Sequence, residues 1–347
     1  MMNHSGNTSV TYRNESHPSL AMNPTNVITA FLLLMSFLVG MTINGLFLWV
    51  LGVKMKRTVN TLWFLHLILT YLISCFLLPF FAVYILHDFC WTFKLTMCKI
   101  VLSSFSVVMF TTVFLLTIIS LDRYLFTCHS IWSQHHRTIP RARRIIAGVW
   151  LASLALSVPN LFFLTTQEVK GKMKCNYRFI FSNDRGTVHL TFFSVRFLLA
   201  FLLPFVVIMG CYCRTGCKMK TKRLVRTGKP FRILVASVTS FFICWLPYHL
   251  YQAALLLDRA QTETEEILWD LTAAGGCFNI CFTPILYLFV GEKFQQVFKT
   301  SMLTLLKKGF VDYPINPGDN INTTEEVDQT HGKSAQELKV TQGNHLP

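Results

Sequence analysis

Asp122 and Arg123, followed by Tyr124, close a long apolar run in a chain of 347 residues. An acid and a base kept against a bilayer are costly, and such groups are functional by default. A guanidinium beside a carboxylate at that depth can form an ion pair that opens and closes. Arg196 is a second charge inside apolar sequence, about two turns before Pro204. Turned inward, it would hold an anionic group through paired, charge-assisted hydrogen bonds. Turned outward, it would snorkel to the headgroups. The sequence leaves both readings open. His66, His189 and His249 fall on different apolar runs without metal-ligand spacing, and read as packing or rim residues. Acids and histidines in these runs are too few and too scattered for hydrolysis or metal ligation. Neither an enzyme nor a cofactor is expected.

The elements that must position these residues are membrane helices. The chain is 52% hydrophobic and 14% charged, where a soluble chain carries about 25% charged residues. Seven apolar runs are long enough to cross a bilayer: Val27–Val53, Thr61–Leu86, Met97–Thr127, Arg144–Leu164, Val188–Cys217, Phe231–Leu257 and Ile267–Val290. The expected fold is an all-α membrane protein, a seven-helix bundle. No internal repeat is visible, which argues against repeat-built transporters.

A net charge of +15 would suggest nucleic acid in a soluble protein. Here the basic residues crowd three loops on one side. They are Lys54, Lys56 and Arg57; Arg137, Arg141, Arg143 and Arg144; and Arg214, Lys218, Lys220, Lys222, Arg223, Arg226 and Lys229. Positive charge beside spans marks the cytoplasmic side, so nucleic acid is not an expected partner and the amino terminus lies outside the cell. Asn3, Asn7 and Asn14 are glycosylation acceptors there. Pro24 disqualifies Asn23, and Asn322 falls on the inner side. The polar first residues contain no leader-type apolar core, so the first span acts as its own insertion signal.

The expected division is a glycosylated tail over 1–26, a seven-span domain over 27–290, an amphipathic helix over 291–308 and a disordered cytoplasmic tail over 309–347. In the short helix, Phe294, Val297, Phe298, Met302 and Leu305 recur at helical spacing, with Lys293, Lys299, Lys307 and Lys308 among them. That pattern suits a helix lying on inner-leaflet lipid. Thr323 and Thr324 precede Glu325 and Glu326, a stretch open to phosphorylation or merely solvated.

A series of residues falls in order along the spans: Asn44, Asp122-Arg123-Tyr124, Trp150, Pro204, Tyr212, Cys244-Trp245-Leu246-Pro247 and Pro284-Ile285-Leu286-Tyr287. Together they resemble the rhodopsin-like, class A G-protein-coupled receptors, from about Asn44 to Phe298. The resemblance implies a plasma-membrane receptor with an extracellular ligand, a heterotrimeric G protein as partner and arrestin as a further one. It implies that Arg123 pairs with Asp122 at rest and meets the G protein when released. Trp245, one turn from Pro247, matches the activation toggle under the ligand pocket. Tyr212 and Tyr287 match tyrosines that swing toward the arginine, and Pro284 the proline of the last span. Cys98 and Cys175 match the disulfide that ties a loop over the pocket, leaving Cys90 unpaired.

Three stretches narrow the resemblance: His129–Thr138, Asn60–Leu65 and Arg196–Pro204. They are similar to the chemoattractant receptors for formyl peptides, complement anaphylatoxins and chemerin. His66–Ser74, Lys229–His249 and Pro284–Phe294 resemble an orphan member of that group. The implied ligand is a peptide or lipid mediator, and the implied partner the inhibitory class of G protein. Phe105, Ser106, Met109, Arg196, Trp245, His249 and Gln252 are the expected pocket. Arg196 matches an arginine of formyl peptide receptors. Their acid in the third span is Ser106 here, and a second arginine is Phe192, so an anionic or apolar ligand is expected.

Other positions depart from the family. Tyr71 stands where a sodium-binding aspartate is usual, and Thr283 where an amide or acid precedes the proline. A hard cation needs several oxygen ligands, and these offer neutral hydroxyls, so no metal is expected there and the resting state is held differently. The retinal lysine of opsins is absent between Ile267 and Val290, with Cys277 near its place. Lys170, Lys172, Lys174 and Arg178 make one outer loop basic, while Glu263, Glu265, Glu266 and Asp270 make another acidic. These would steer a charged peptide or be solvated loops. A non-signalling scavenger or decoy receptor of the same fold is the alternative. Intact Asp122-Arg123-Tyr124 favours signalling.

Overall fold

In a computed structural model, residues 23–169, 171–177, 185–221, 228–256, 262–287 and 292–311 are described. The three amino-terminal sequons, Lys170, Arg178 and the tail from 312 lie outside them.

Asn23 starts the first helix: its Oδ1 accepts from the Thr25 N–H at 3.1 Å, and Pro24 takes the first position, where no N–H is needed. Helix α1 runs Pro24–Trp49 and continues as a π turn over Val50–Lys54. Thr58 caps α2, Val59–Leu86. Helix α3 is Leu95–Cys128, α4 is the short Ser130–His136, and α5 is Ile139–Phe163. A hairpin of β1, Leu164–Val169, and β2, Lys172–Tyr177, turns at Gly171, whose φ of 75° suits glycine. Helix α6, Arg185–Phe197, passes through a π segment at Leu198–Leu202 into α7, Leu203–Thr221. Helices α8, Gly228–Leu256, α9, Thr262–Tyr287, and α10, Glu292–Val311, complete the order.

Over the described residues each of the seven expected spans is helical, except Leu164, which opens the hairpin. Six are both long and apolar enough to cross a membrane, among the described residues. The seventh, α9, starts with Thr262-Glu263-Thr264-Glu265-Glu266 and packs along α8 and α1. The helices overrun the apolar runs: α5 begins five residues before Arg144 and contains Arg141, Arg143 and Arg144. Arginine is a good helix former, so hydropathy marks where lipid lies rather than where the helix stops. The hairpin and α4 occupy stretches with no apolar period to announce them.

Helix α3 lies at the centre, touching α2, α5 and α7. Phe110, Leu115, Leu116 and Ile119 from α3 join Leu67 and Ile68 of α2, Ile208 of α7 and Phe241 of α8 in one buried core. Outward residues such as Phe31, Phe76, Phe162, Val206 and Ile243 are exposed. In water such a belt would drive aggregation; around a bundle it meets lipid. Contacts divide the chain after Ser301. Within the first unit, the Phe298 ring of α10 meets Phe47 of α1 at 5.1 Å. The second unit is helical from Met302 to Val311.

One close approach sets the spacing of α8 and α9. A Cβ on Gly275 would stand 2.6 Å from the Cys244 carbonyl oxygen, and a backbone oxygen cannot step aside as a flexible side chain can. Gly275→Ala should force the helices apart and cost about 1–3 kcal/mol. It should lower Tm in detergent by several degrees, while Gly276→Ala, with nothing within 4 Å of its Cβ, should not.

Candidate functional site

The basic end of α3 holds the ionisable cluster. Asp122 does not take Arg123. Its carboxylate accepts from Nε and Nη2 of Arg137 at 2.8 and 3.0 Å, a two-point pair reaching in from the α4–α5 link. The pairing with Arg123 that the resemblance implies is not formed here: the Arg137 guanidinium, arriving end-on, faces both carboxylate oxygens and occupies them. Arg123 instead donates Nη2 to Oδ1 of Asn60, in the first turn of α2, at 2.7 Å. Arg137 Nη2 donates to the same oxygen. One amide oxygen thus receives two guanidinium groups, and the Nε of Arg123 is buried without a hydrogen-bond partner.

Tyr124 hydroxyl lies 3.2 Å from His129 Nε2. Tyr212 is buried on α7, and its hydroxyl accepts from Ser120 Oγ at 3.0 Å. Tyr287 is the last residue of α9, and its side chain lies outside the described set.

The other end contains a cavity of about 430 Å³. The hairpin covers it. Cys175 in β2 is disulfide-bonded to Cys98 in the first turn of α3, with Cα atoms 5.8 Å apart, and Leu164, Gln167 and Tyr177 contribute to the lining. A second tether joins Trp91 N–H to the Met173 carbonyl at 2.7 Å, and Lys172 pairs with Asp88. Cys90 is a free thiol.

Of the seven residues proposed from the sequence, Phe105, Ser106, Arg196, Trp245 and Gln252 line this cavity; Met109 and His249 do not. Met109 is 1% exposed within the core. His249 packs against Phe197 and Phe201 at 5.6 and 4.9 Å, and Tyr248 takes the wall position. One residue along a helix rotates a side chain by about 100°, and a motif does not fix that rotation by itself.

Arg196 points inward rather than outward to headgroups. Its Nη1 donates to Tyr248 hydroxyl at 2.8 Å, and Nη2 to Tyr177 hydroxyl at 3.0 Å and Asn160 Oδ1 at 3.4 Å. Every one of these acceptors is neutral. Tyr177, Tyr248 and Asn160 were not legible as site residues, because they become neighbours of Arg196 only through the hairpin and the packing of α5 and α8.

Between the two ends lies a centre without charge. Tyr71 lines the cavity floor and is 2% exposed; Thr283 is 1% exposed, with no hydrogen-bond partner for Oγ1. Thr112 Oγ1 donates to Thr70 Oγ1 at 3.2 Å. Asn44 Nδ2 donates to the carbonyls of Gly40 at 2.9 Å and Ile280 at 3.2 Å, tying α1 to α9. His66 accepts from Trp150 Nε1 at 3.3 Å, a packing contact between α2 and α5.

Residues 43–287 match the family described as 7 transmembrane receptor (rhodopsin family). The chain is 45% identical to Probable G-protein coupled receptor 33 of Homo sapiens over 294 residues, 82% of this chain and 88% of that one. Against the protein of that name from Rattus rattus the identity is 46% over 295 residues, 82% and 86% of the two chains. N-formyl peptide receptor 3 of Pongo pygmaeus is 32% identical over 322 residues, 88% of this chain and 90% of that one. The resemblance read from His129–Thr138 and Arg196–Pro204 is thereby borne out for the formyl peptide receptors.

Asn60 is the side chain on which the basic end turns. Asn60→Leu leaves two guanidinium groups adjacent with no shared acceptor, and should cost about 1–2 kcal/mol, as for a partly exposed hydrogen bond to a charged group. Adding Arg137→Ala removes the repulsion and frees Asp122 for Arg123. The double variant should therefore melt above the sum of the single changes in a thermal double-mutant cycle. Simple additivity would contradict the shared-acceptor geometry.

Proposed function

The chain belongs to the rhodopsin family of seven-transmembrane receptors, multi-pass proteins of the plasma membrane, and from that premise we propose that it signals an extracellular anionic ligand to a heterotrimeric G protein. The observation that carries this reading is Arg196: a guanidinium in the wall of a 430 Å³ cavity, hydrogen-bonded among the described residues only to neutral oxygens. A charge in an enclosed, mostly apolar site attracts a counter-ion strongly, because water competes poorly. A ligand carboxylate or phosphate would complete it. Ser106 on the facing helix is neutral, so the site offers no matching place for a ligand cation. The cavity has the size of a small-molecule pocket, and suits the end of a peptide or the headgroup of a lipid mediator.

The amino terminus is outside the cell in this reading, because the short basic loops mark the opposite end as cytoplasmic. Asn3, Asn7 and Asn14 would then carry glycans. Occupancy at Arg196 is sensed through a line of rings on α8. Tyr248 contacts Trp245 at 5.6 Å and Trp245 contacts Phe241 at 5.8 Å, with Phe105 of α3 against Trp245 at 5.4 Å. A ligand that draws Arg196 away from Tyr248 shifts this stack. Pro247 removes one helical hydrogen bond from α8, and Pro284 does the same for α9. Both helices can then bend there.

At the cytoplasmic end, Tyr212 moves with α7, and Arg123 leaves Asn60 to meet the G protein. Similarity to a formyl peptide receptor supports the inhibitory class, and arrestin is the further partner. Tyr71 and Thr283 provide no charged ligand for sodium, so the resting state rests on packing and on the Asn60 amide.

Arg196→Ala should lower agonist potency about 10- to 100-fold, the worth of a charge-assisted contact, in a G-protein activation assay run with inflammatory peptides and lipids. Arg123→Ala should abolish activation while ligand binding persists. Unchanged potency on loss of Arg196 would remove the anionic anchor. Ligand uptake with no activation in either the native chain or Arg123→Ala would favour the scavenger reading.

A further inference from the structure

The last turns of α7 carry two thiols that the signalling reading does not use. Cys213 and Cys217 are both exposed, whereas Cys211 two residues earlier is buried. They share a stripe. Leu202, Val206, Met209, Cys213 and Cys217 follow at steps of four, three, four and four, and the three apolar members are 41%, 60% and 46% exposed. That spacing is one helical face, and it is the face α7 turns to lipid. Tyr212 and Thr215, on the opposite side, are buried in the bundle.

Depth is fixed by a contact. Cys128, the last residue of α3, places its Sγ 4.0 Å from the Arg214 carbonyl, so Cys213 is level with the end of α3 and Cys217 lies about 6 Å beyond it. Arg214, Lys218 and Lys220 surround the pair in sequence, a density of positive charge that suits anionic headgroups. Both thiols therefore face lipid at the boundary between acyl chains and the basic, cytoplasmic rim. A further feature sits next to them: Gly210 has nothing within 4 Å of where a Cβ would lie, leaving a shallow bare strip beside Met209.

From this placement we infer that Cys213 and Cys217 are sites of reversible S-acylation by a long-chain fatty acid. The thiolate attacks the carbonyl carbon of a long-chain acyl-CoA thioester. A carbon–sulfur bond to cysteine forms as the bond to coenzyme A breaks, and coenzyme A leaves as the thiol, carrying the proton that cysteine gave up. Nothing is oxidised or reduced. The chain then runs back toward the bilayer centre along Met209, Val206 and Leu202. Juxtamembrane cysteines beside basic residues suit this modification. Helix α10, the other element expected at the inner leaflet, contains no cysteine across Glu292–Val311, so it cannot carry the anchor. The attachment pins the end of α7 at a fixed depth, one residue from Tyr212.

The test uses the full chain expressed in mammalian cells. Free thiols are blocked, thioesters are cleaved with hydroxylamine, and released thiols receive a mass tag that is counted on a gel and located by mass spectrometry. The native chain should show hydroxylamine-dependent tags at Cys213 and Cys217. Cys213→Ser and Cys217→Ser should each remove one tag, the pair together should remove both, and Cys211→Ser should remove none. A native chain without hydroxylamine-dependent tags at these two positions overturns the proposal, even if a variant fails to reach the surface. A native chain whose hydroxylamine-dependent tags all fall on other cysteines overturns it equally.

Discussion

A side-chain charge inside a helical bundle in lipid has to be answered by another group, and the two ends of this molecule answer theirs in opposite ways. At the basic end a second arginine neutralises Asp122, and Arg123 is left with a neutral amide. At the hairpin end Arg196 has phenol and amide oxygens, and no carboxylate within ion-pair distance among the described residues. Hydrogen bonds from neutral groups make a buried guanidinium tolerable, but they do not cancel its charge. Each end therefore keeps one arginine short of a counter-ion. That condition suits the hairpin end to an anionic ligand and leaves Arg123 lightly held. The disulfide and the Trp91–Met173 hydrogen bond follow from the same need: they keep Tyr177, one of the groups that solvate Arg196, over the cavity.

The placement of glycine and proline then decides what can move. Gly275 lets α9 approach the Cys244 carbonyl at a distance no other residue allows, and Pro247 lies three residues along α8 from that contact. A helix with a missing hydrogen bond, pressed against its neighbour just beside the gap, can bend there without losing its packing on either side. Trp245 lies between the two features. Its ring meets Phe105, Phe241 and Tyr248, so a bend at this point must rearrange the floor of the cavity.

Much of this was legible in the sequence, and what was not has a common cause. Spans were readable because lipid requires long apolar helices. Phe105, Ser106, Arg196, Trp245 and Gln252 came from the family resemblance, and of these only Arg196 was located by its distance from a proline. Rotation about a helix axis is not encoded that way. His249 and Tyr248 are adjacent, and only packing against Phe197 and Phe201 decides which one faces inward. The Arg137–Asp122 pair was missed because it joins a loop arginine to a helix end 15 residues away. No periodicity announces such a contact. The hairpin and the π segments escaped for a related reason: a polar loop and a one-residue helical bulge leave no mark on hydropathy.

The uncharged centre constrains how the two ends can communicate. Tyr71, Thr112, Asn279 and Thr283 contribute only neutral polar groups between Arg196 and Arg123. Charge at one end therefore cannot be relayed to the other through a chain of ion pairs. What does span the interval is contact between rigid bodies: Tyr248, Trp245 and Phe241 in ring contact along α8, Asn44 tying α1 to the Ile280 carbonyl, and α3 passing through the middle of the core. Packed interiors shift between discrete arrangements rather than deforming smoothly. A centre held by packing therefore transmits displacement of a helix, and α8 carries both Tyr248, whose hydroxyl accepts from Arg196, and Phe231, whose ring meets Tyr212 at 5.5 Å. The same helix touches the groups at both ends, so in the signalling proposed above its tilt is what would couple the two arginines.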